Sequence, residues 1–274
     1  MLIGQERGRD GKQDRNDGMT LPEGFRKAYR AMSLAEKFEI PVITLIDTPR
    51  PHPGLDSENR GMGNAIAKCM AKLASLDVPT IAAVIGEGGS EGALALAVAD
   101  RVLMMQNAIY TVMSPEDAAG LIYQDESKVK EVAESLKMTS GDCLELGLID
   151  EVVHEPVGAA HSSPDDAARH LRRGLLRHLA EVGTWSNFRR SRRRYRKFRK
   201  VGEFSSQFRV AINREVDALQ GAIPSVGKGK QTPTDLARRR VELEEAASLE
   251  IIGHHGDTER EDESAGPPAM PAEN

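Results

Sequence analysis

The sequence predicts a layered α/β domain, and three observations carry that prediction. Short apolar runs alternate with segments whose apolar residues recur at helical spacing. Glycine or proline stands at the ends of those runs, where the chain must turn. The 274 residues suffice for one sizeable core, with length left over for an arm or tail.

Phe25, Ala28, Tyr29, Met32 and Ala35 share one helix face, predicting an amphipathic helix over 23–38 with Pro22 in its first turn. The run PVITLID, residues 41–47, predicts the first readable strand. A proline-rich loop, Thr48-Pro49-Arg50-Pro51-His52-Pro53-Gly54, leads to a second helix carrying Met62, Ala65, Ile66, Cys69, Met70 and Leu73. VPTIAAVI, 78–85, predicts a buried strand. Gly86-Glu87-Gly88-Gly89 predicts a glycine-rich turn, and 90–99 a short helix of small residues. Strands are expected over 101–105 and 108–113, and Ser114 is expected to cap a helix opening at Pro115. Val129, Val132, Ala133 and Leu136 mark another helix, and 146–153 reads as a turn into a short strand. Ala168, Leu171, Leu175, Leu179 and Val182 mark a long helix expected to close the domain.

Beyond that helix the composition shifts. Nine cations crowd residues 189–200, interleaved with Tyr195 and Phe198 and preceded by Phe188. Clustered arginines with aromatics can grip phosphates and stack on bases. A charge run alone reads no base, however, and a net charge of −5 sets up no field toward nucleic acid. The expectation is a solvated helix face that docks an acidic partner surface or shields the acidic tail, with no nucleic-acid partner. Residues 205–252 read as a linker and helical extension, and 253–274, acidic and rich in Pro and Ala, as a disordered tail.

Cys69 and Cys143 stand far apart and belong to no Cys/His cluster, so no metal site and no disulfide framework is expected in this chain. No apolar run is long enough to cross a bilayer, and the polar start is no signal peptide. A cytoplasmic protein with reduced, buried thiols and no membrane partner is expected.

The strongest chemical signal is Ile85-Gly86-Glu87-Gly88-Gly89-Ser90-Glu91-Gly92-Ala93, between a buried strand and a small-residue helix. Glycines bring main-chain N–H groups close to a ligand, and the first amides of a helix lack internal partners. Together they stabilise an anion or developing oxyanion without a charged side chain. A nucleotide P-loop is excluded because no Gly-Lys-Ser/Thr closes the motif, and Glu91 breaks GxGxxG. Gly88-Gly89-Ser90-Glu91-Gly92 matches the GxSxG serine-hydrolase elbow, with His154, His161, His170 and His178 as possible bases. Against it, the apolar run stops at Ile85, several residues before Ser90.

The stretch IGEGGSEGALALAVADRVLM resembles the segment of acetyl-CoA carboxylase carboxyltransferase α subunits that carries their Gly-Gly oxyanion turn. GQERGRD at 4–10, LAEKFEIPVITLIDTP, SPEDAAGLIY and LELGLIDEVVHEPVGAAH are similar to the same family in the same order, from about residue 2 to 204. The resemblance implies a crotonase fold (ClpP/crotonase-like, a β-β-α spiral with flanking helices) over 1–204, with a C-terminal-type half-site. It implies transfer of the carboxyl group of carboxybiotin, on a carrier protein, to acetyl-CoA, forming malonyl-CoA in fatty-acid biosynthesis. Gly88 and Gly89 would present amides to the ureido oxygen of biotin, with Gly86, Glu87, Ser90, Pro49, Arg50, His52 and Gly54 on the carboxybiotin side. The implied partners are a β subunit, in an α2β2 assembly, a biotin carboxyl carrier protein, and biotin carboxylase in the wider complex. The CoA site and any zinc ribbon would belong mainly to β.

Three departures stand out. Arg50-Pro51-His52 occupies a loop that in the family usually reads Gly-Ala-Tyr; Glu91 stands where the family has glycine; and relative to the family the chain looks N-terminally shortened. These departures motivate one alternative, a catalytically degenerate α-like subunit serving assembly or regulation. The second alternative is a serine hydrolase using Ser90.

Overall fold

A computed structural model describes residues 1–7 and 13–201. The linker, helical extension and acidic tail expected over 205–252 and 253–274 lie outside the described residues, as do Gly8, Arg9 and Asp10.

The chain begins with β1 (Leu2–Gly4), which pairs in parallel with β2 (Val42–Thr48). Between them runs α1 (Pro22–Lys37), whose buried face includes Phe25, Ala28, Met32 and Ala35, as their spacing predicts, whereas Tyr29, expected on that face, is exposed. The short α2 (Leu55–Asn59) and then α3 (Met62–Ser75) carry the chain from β2 to β3 (Thr80–Gly89). Next come α4 (Ser90–Ala97), β4 (Arg101–Met105), β5 (Ile109–Thr111) and α5 (Pro115–Tyr123). Ser114 caps α5, its hydroxyl accepting the Asp117 amide at 3.0 Å. The described chain then runs through α6 (Val129–Ser135), α7 (Ser140–Glu145), β6 (Glu151–Val153), α8 (Pro164–Gly183) and α9 (Asn187–Lys200).

All named strand pairings are parallel, in the order β1-β2-β3-β4-β6, with β5 on β3 off that path. Parallel neighbours need crossovers, which α1, α2–α3 and α4 supply. α1 packs on α3, α3 on α4, and α4 on β2 and β3, while α8 packs on β3, β4 and β6. Residues 80–84 of β3 are buried without alternation, as in the middle of a covered parallel sheet. A satellite core of Ala118, Ala119 and Val132 holds α5 to α6.

Two expectations need correction. The predicted strand over 78–85 does not stop at Ile85; it runs on to Gly89, so Gly86–Gly89 is a strand end and not a free turn. Its first part, Ile81–Val84, pairs with β4 residues Arg101–Met104, and its last part, Glu87–Gly89, pairs with Ile109–Thr111 of β5. A partner contributed by a distant segment supplies the ladder that glycines alone do not advertise. The second correction concerns the basic run, which is not a solvated face throughout. α9 turns Arg190 and Arg194 inward, and they are 6% and 2% exposed. Arg194 pairs with Asp100 and donates to the carbonyls of Leu73, Ala74 and Leu76 at the C-terminal end of α3. Arg190 holds the carbonyl of Asp77 at 2.5 Å. Lys197 is ion-paired with Asp150. The domain is therefore closed by α9 as well as by the long helix the sequence predicts. Arg189, Arg192, Arg193, Arg196, Arg199 and Lys200 remain exposed.

Both cysteines are buried and unpaired. Burial pushes the Cys69 thiol up to about 12, and burial with nearby Asp142 pushes Cys143 up to about 11. No described helix is long and apolar enough to cross a membrane.

Candidate functional site

The site is built where β2 and β3 end side by side. From Ile46↔Val84 the register jumps to Thr48↔Gly88, so Asp47 of β2 faces Ile85, Gly86 and Glu87 of β3. Asp47 Oδ1 accepts the Glu87 amide at 3.0 Å, and the Glu87 carboxylate is ion-paired with Arg7. Past this bulge β3 delivers Gly88 and Gly89, both buried, directly to the first turn of α4.

Glycine is required at residue 89 for room. A Cβ there would lie 1.8 Å from the Pro49 carbonyl oxygen and 2.4 Å from its carbon, a backbone collision no rotamer relieves. At Gly88 it would meet the Tyr110 ring at 2.9 Å and Val84 at 3.0 Å. Burial pushes the Tyr110 phenol up to about 12, so this neighbour is neutral. Arg50 and Pro51 also lie against Gly92, where a Cβ would be 3.0 Å from Pro51.

The loop after β2 is anchored rather than free. The Thr48 hydroxyl contacts the Gly18 carbonyl at 2.8 Å and that of Arg50 at 3.0 Å. Pro51 bridges Thr20, and the His52 amide donates to the Thr20 carbonyl at 3.0 Å. His52 Nδ1 lies 3.0 Å from the hydroxyl of Ser57, a residue 2% exposed. Arg50 reaches Asp117 on α5 at 3.7 Å. Gly54, at φ 113°, opens α2 in a conformation that favours glycine.

A cavity of about 280 Å³ lies between this loop and α4, walled by Arg50, His52, Ser57, Met62, Ser90 and Glu91 among others. Of the residues singled out from sequence, the cavity gathers Arg50, His52, Gly54 and Ser90. Pro49, Gly86, Glu87, Gly88 and Gly89 are not among its walls; Gly89 lies against Pro49. Sequence reasoning missed Ser57 and Met62 as walls. A lone serine and a helical methionine carry no such signal, whereas Gly92 was visible as the last glycine of GxSxG. A larger hollow of about 360 Å³, walled by Trp185, Arg193, Arg196 and Lys197 among others, shares no residue with this one. Its walls include Asp100 and Asp150, already occupied in anchoring α9, and Arg101, paired with Asp150 and Glu181, and we assign it no part in the site.

Ser90 stands at the immediate end of β3 with φ 57°, so the argument that the strand stops short of the serine does not hold. Its hydroxyl donates to the Glu91 carboxylate. The four histidines considered as bases lie elsewhere. His154 is near Gln106, His170 near the His154 carbonyl, and His178 on Glu151; neither these nor His161 line the cavity. Glu91 suits the positive end of the α4 dipole. Chemically, the arrangement offers backbone amides at a strand–helix junction, one imidazole and one guanidinium around a small cavity.

The family described as "Acetyl co-enzyme A carboxylase carboxyltransferase-like" matches residues 1–202. The chain is 49% identical over 207 residues to an acetyl-coenzyme A carboxylase carboxyl transferase subunit alpha of Thermosynechococcus vestitus, covering 75% of this chain and 64% of that one. Against the subunit alpha of Staphylococcus epidermidis it is 46% identical over 203 residues, covering 73% and 65%. The chain thus spans just under two thirds of the length of these curated relatives. In fold it is similar to transcarboxylase 12S, with TM-score 0.55 and 22% identity, covering 67% of this chain and 33% of that one. It is also similar to a chain of a Pseudomonas malonate decarboxylase hetero-tetramer in complex with coenzyme A, with TM-score 0.60 and 15% identity, covering 80% and 84%.

Proposed function

The chain belongs to the acetyl-CoA carboxylase carboxyltransferase-like family, and we propose that it is the α half of a carboxyltransferase that passes a carboxyl group from biotin to acetyl-CoA. The observation that carries this reading is the seating of Gly89. It lies on the Pro49 carbonyl with no room for a Cβ, at the junction of β3 with α4, beside the cavity holding Arg50, His52, Gly54 and Ser90.

Biotin on its carrier would supply the chemistry of a carboxyl group held on a ureido nitrogen. The residues present fit such a group: glycines 88 and 89 exclude side chains at the junction, and the first amides of α4 point along a dipole that favours negative charge. In this reading Gly88 and Gly89 hold the ureido oxygen with backbone N–H groups. Pro49 and Thr48 fix the loop opposite, Arg50 and His52 line the approach, and Gly86 and Glu87 shape the strand end. Ser90 and Glu91 form the floor at the start of α4. Removing one such donor costs about 3–4 kcal/mol of transition-state stabilisation in enzymes where it has been tested.

The acyl-CoA site and the second half of the active site would come from a β subunit, in an α2β2 assembly served by a biotin carboxyl carrier protein and a biotin carboxylase. Exposed Leu121, Ile122 and Tyr123 on α5, with Val112, support a protein partner on that side of the domain. Fatty-acid synthesis in the cytoplasm is the setting this chemistry serves. The test is malonyl-CoA-dependent carboxylation of free biotin by the full chain purified with its β partner. Turnover supports the reading. A stable complex without turnover would instead identify a degenerate assembly subunit, and covalent labelling of Ser90 by a fluorophosphonate would identify a hydrolase.

A further inference from the structure

The bulge in β3 points to a role for a side chain that lines no cavity: we propose that Asp47 is a positioning residue that sets the Gly88 and Gly89 amides in line. The inference rests on the carboxyltransferase reading above. Between the paired positions Ile46↔Val84 and Thr48↔Gly88, β2 has the single residue Asp47 and β3 has three. Surplus residues in a bulge leave backbone groups without ladder partners, and buried amides need another acceptor. Asp47 supplies one from its side chain, accepting the Glu87 N–H at 3.0 Å.

Gly86 makes room for that carboxylate. A Cβ at residue 86 would lie 2.6 Å from Asp47 Oδ1 and 3.1 Å from Cγ, so any side chain there displaces it. The Glu87 side chain is drawn the other way, onto Arg7. The bulge is also where β3 exchanges its β4 ladder for β5, the step that brings Gly88 and Gly89 to α4. Asp47 sits just upstream of Thr48 and Pro49, whose carbonyl lies on Gly89. One residue therefore ties both sides of the junction together, by main chain on the loop side and by a hydrogen bond on the strand side. Asp47 Oδ1 is taken up by the Glu87 amide, so Asp47 acts through Glu87 as a positioning residue.

The experiment uses the full chain with its β partner and three variants, Asp47→Ala, Asp47→Asn and Gly86→Ala. Two readouts are taken, amide hydrogen exchange over 85–90 and the kinetics of biotin carboxylation. Asp47→Ala is expected to speed exchange at residues 87–89 while 81–84 stay protected. It should lower kcat by about 100-fold, the effect of a displacement near 1 Å, with little change in KM for biotin. Asn keeps an oxygen for the Glu87 amide and should restore most of both, separating the hydrogen bond from the charge. Gly86→Ala should reproduce the Ala phenotype by pushing the carboxylate away, and it decides the matter if Asp47→Ala does not fold. Wild-type exchange at 87–89 in the Ala variants, or an Asn variant as impaired as Ala, overturns the inference. If the unsubstituted complex shows no turnover, the carboxyltransferase reading fails and the exchange data alone decide what Asp47 holds. If Gly89→Ala abolishes turnover while Asp47→Ala does not, only the role of Asp47 is lost.

Discussion

Replacing Arg194 by alanine would strip a counter-charge from the interior. The Arg194 side chain is 1% exposed and its partner Asp100 0%. Nε and Nη2 each hold an Asp100 oxygen at 3.0 Å, and Nη1 donates to the carbonyls of Leu73, Ala74 and Leu76 at 2.8, 2.9 and 3.0 Å. In the alanine variant Asp100 keeps only the amide and hydroxyl of Thr80, both at 2.9 Å, and the three carbonyls at the end of α3 lose their common donor. Removing one partner of a buried pair costs about 3–5 kcal/mol. An exposed pair is worth only about 0–1 kcal/mol. The loss is a large share of the roughly 5–15 kcal/mol that holds a domain folded. In urea, with a slope of about 2 kcal/mol/M, the unfolding midpoint should fall by about 1.5–2.5 M at unchanged slope. Circular dichroism of the full chain reads this directly. Arg194→Lys should recover only part of the loss, because an ammonium cannot span both carboxylate oxygens and the helix end. A loss below about 1 kcal/mol for the alanine variant would refute the reasoning, since that is the worth of a solvated pair.

The acid limb of the stability curve should depend on Asp150. Burial works to raise its pKa, but the Lys197 ammonium, the Val102 amide and the Arg101 guanidinium outweigh burial and hold it below the ordinary 3.8. A carboxylate with a depressed folded pKa contributes fully above 3.8 and loses that contribution as pH falls through the lower folded value. Asp150→Asn should therefore flatten the pH dependence of thermal unfolding below that point; an unchanged acid limb would count against the ion pair. The two thiols, both 0% exposed, should resist iodoacetamide at pH 8 in the folded chain and react once urea unfolds it, as read by intact mass. Alkylation of either in the native protein would show that its pocket opens.

The layered α/β class was legible because its signals are local. PVITLID and VPTIAAVI are apolar runs long enough to read as buried strands, and the one-face spacing of Phe25, Ala28 and Met32 marks α1 without reference to any neighbour. What escaped depends on partners far away in sequence. Leu2–Gly4 is three residues long and becomes a strand only by pairing with Ile43, Thr44 and Leu45. Residues 86–89 read as a turn because glycine has no side chain to show a period, yet β5 draws three of them into a ladder. Arg190 and Arg194 read as solvated because arginine usually is; Arg194 is buried because Asp100 and the end of α3 lie where α9 docks, and Arg190 because the Asp77 carbonyl lies there too. Of the candidate site, the glycine motif and the proline-rich loop were visible as separate segments. Their contact, the Pro49 carbonyl on Gly89, is tertiary and had no trace in either segment alone.

That contact is also the most direct point of attack. Gly89→Ala, in the full chain purified with the proposed β subunit, puts a methyl group at a position 1.8 Å from the Pro49 carbonyl oxygen. Malonyl-CoA-dependent carboxylation of free biotin is then compared with the unsubstituted complex at equal folded protein. If backbone amides at the β3–α4 junction hold the ureido oxygen, turnover should fall by about 100- to 1,000-fold, the effect of losing one oxyanion donor. A folded Gly89→Ala complex that turns over at the unsubstituted rate would contradict the assignment of this junction as the biotin site.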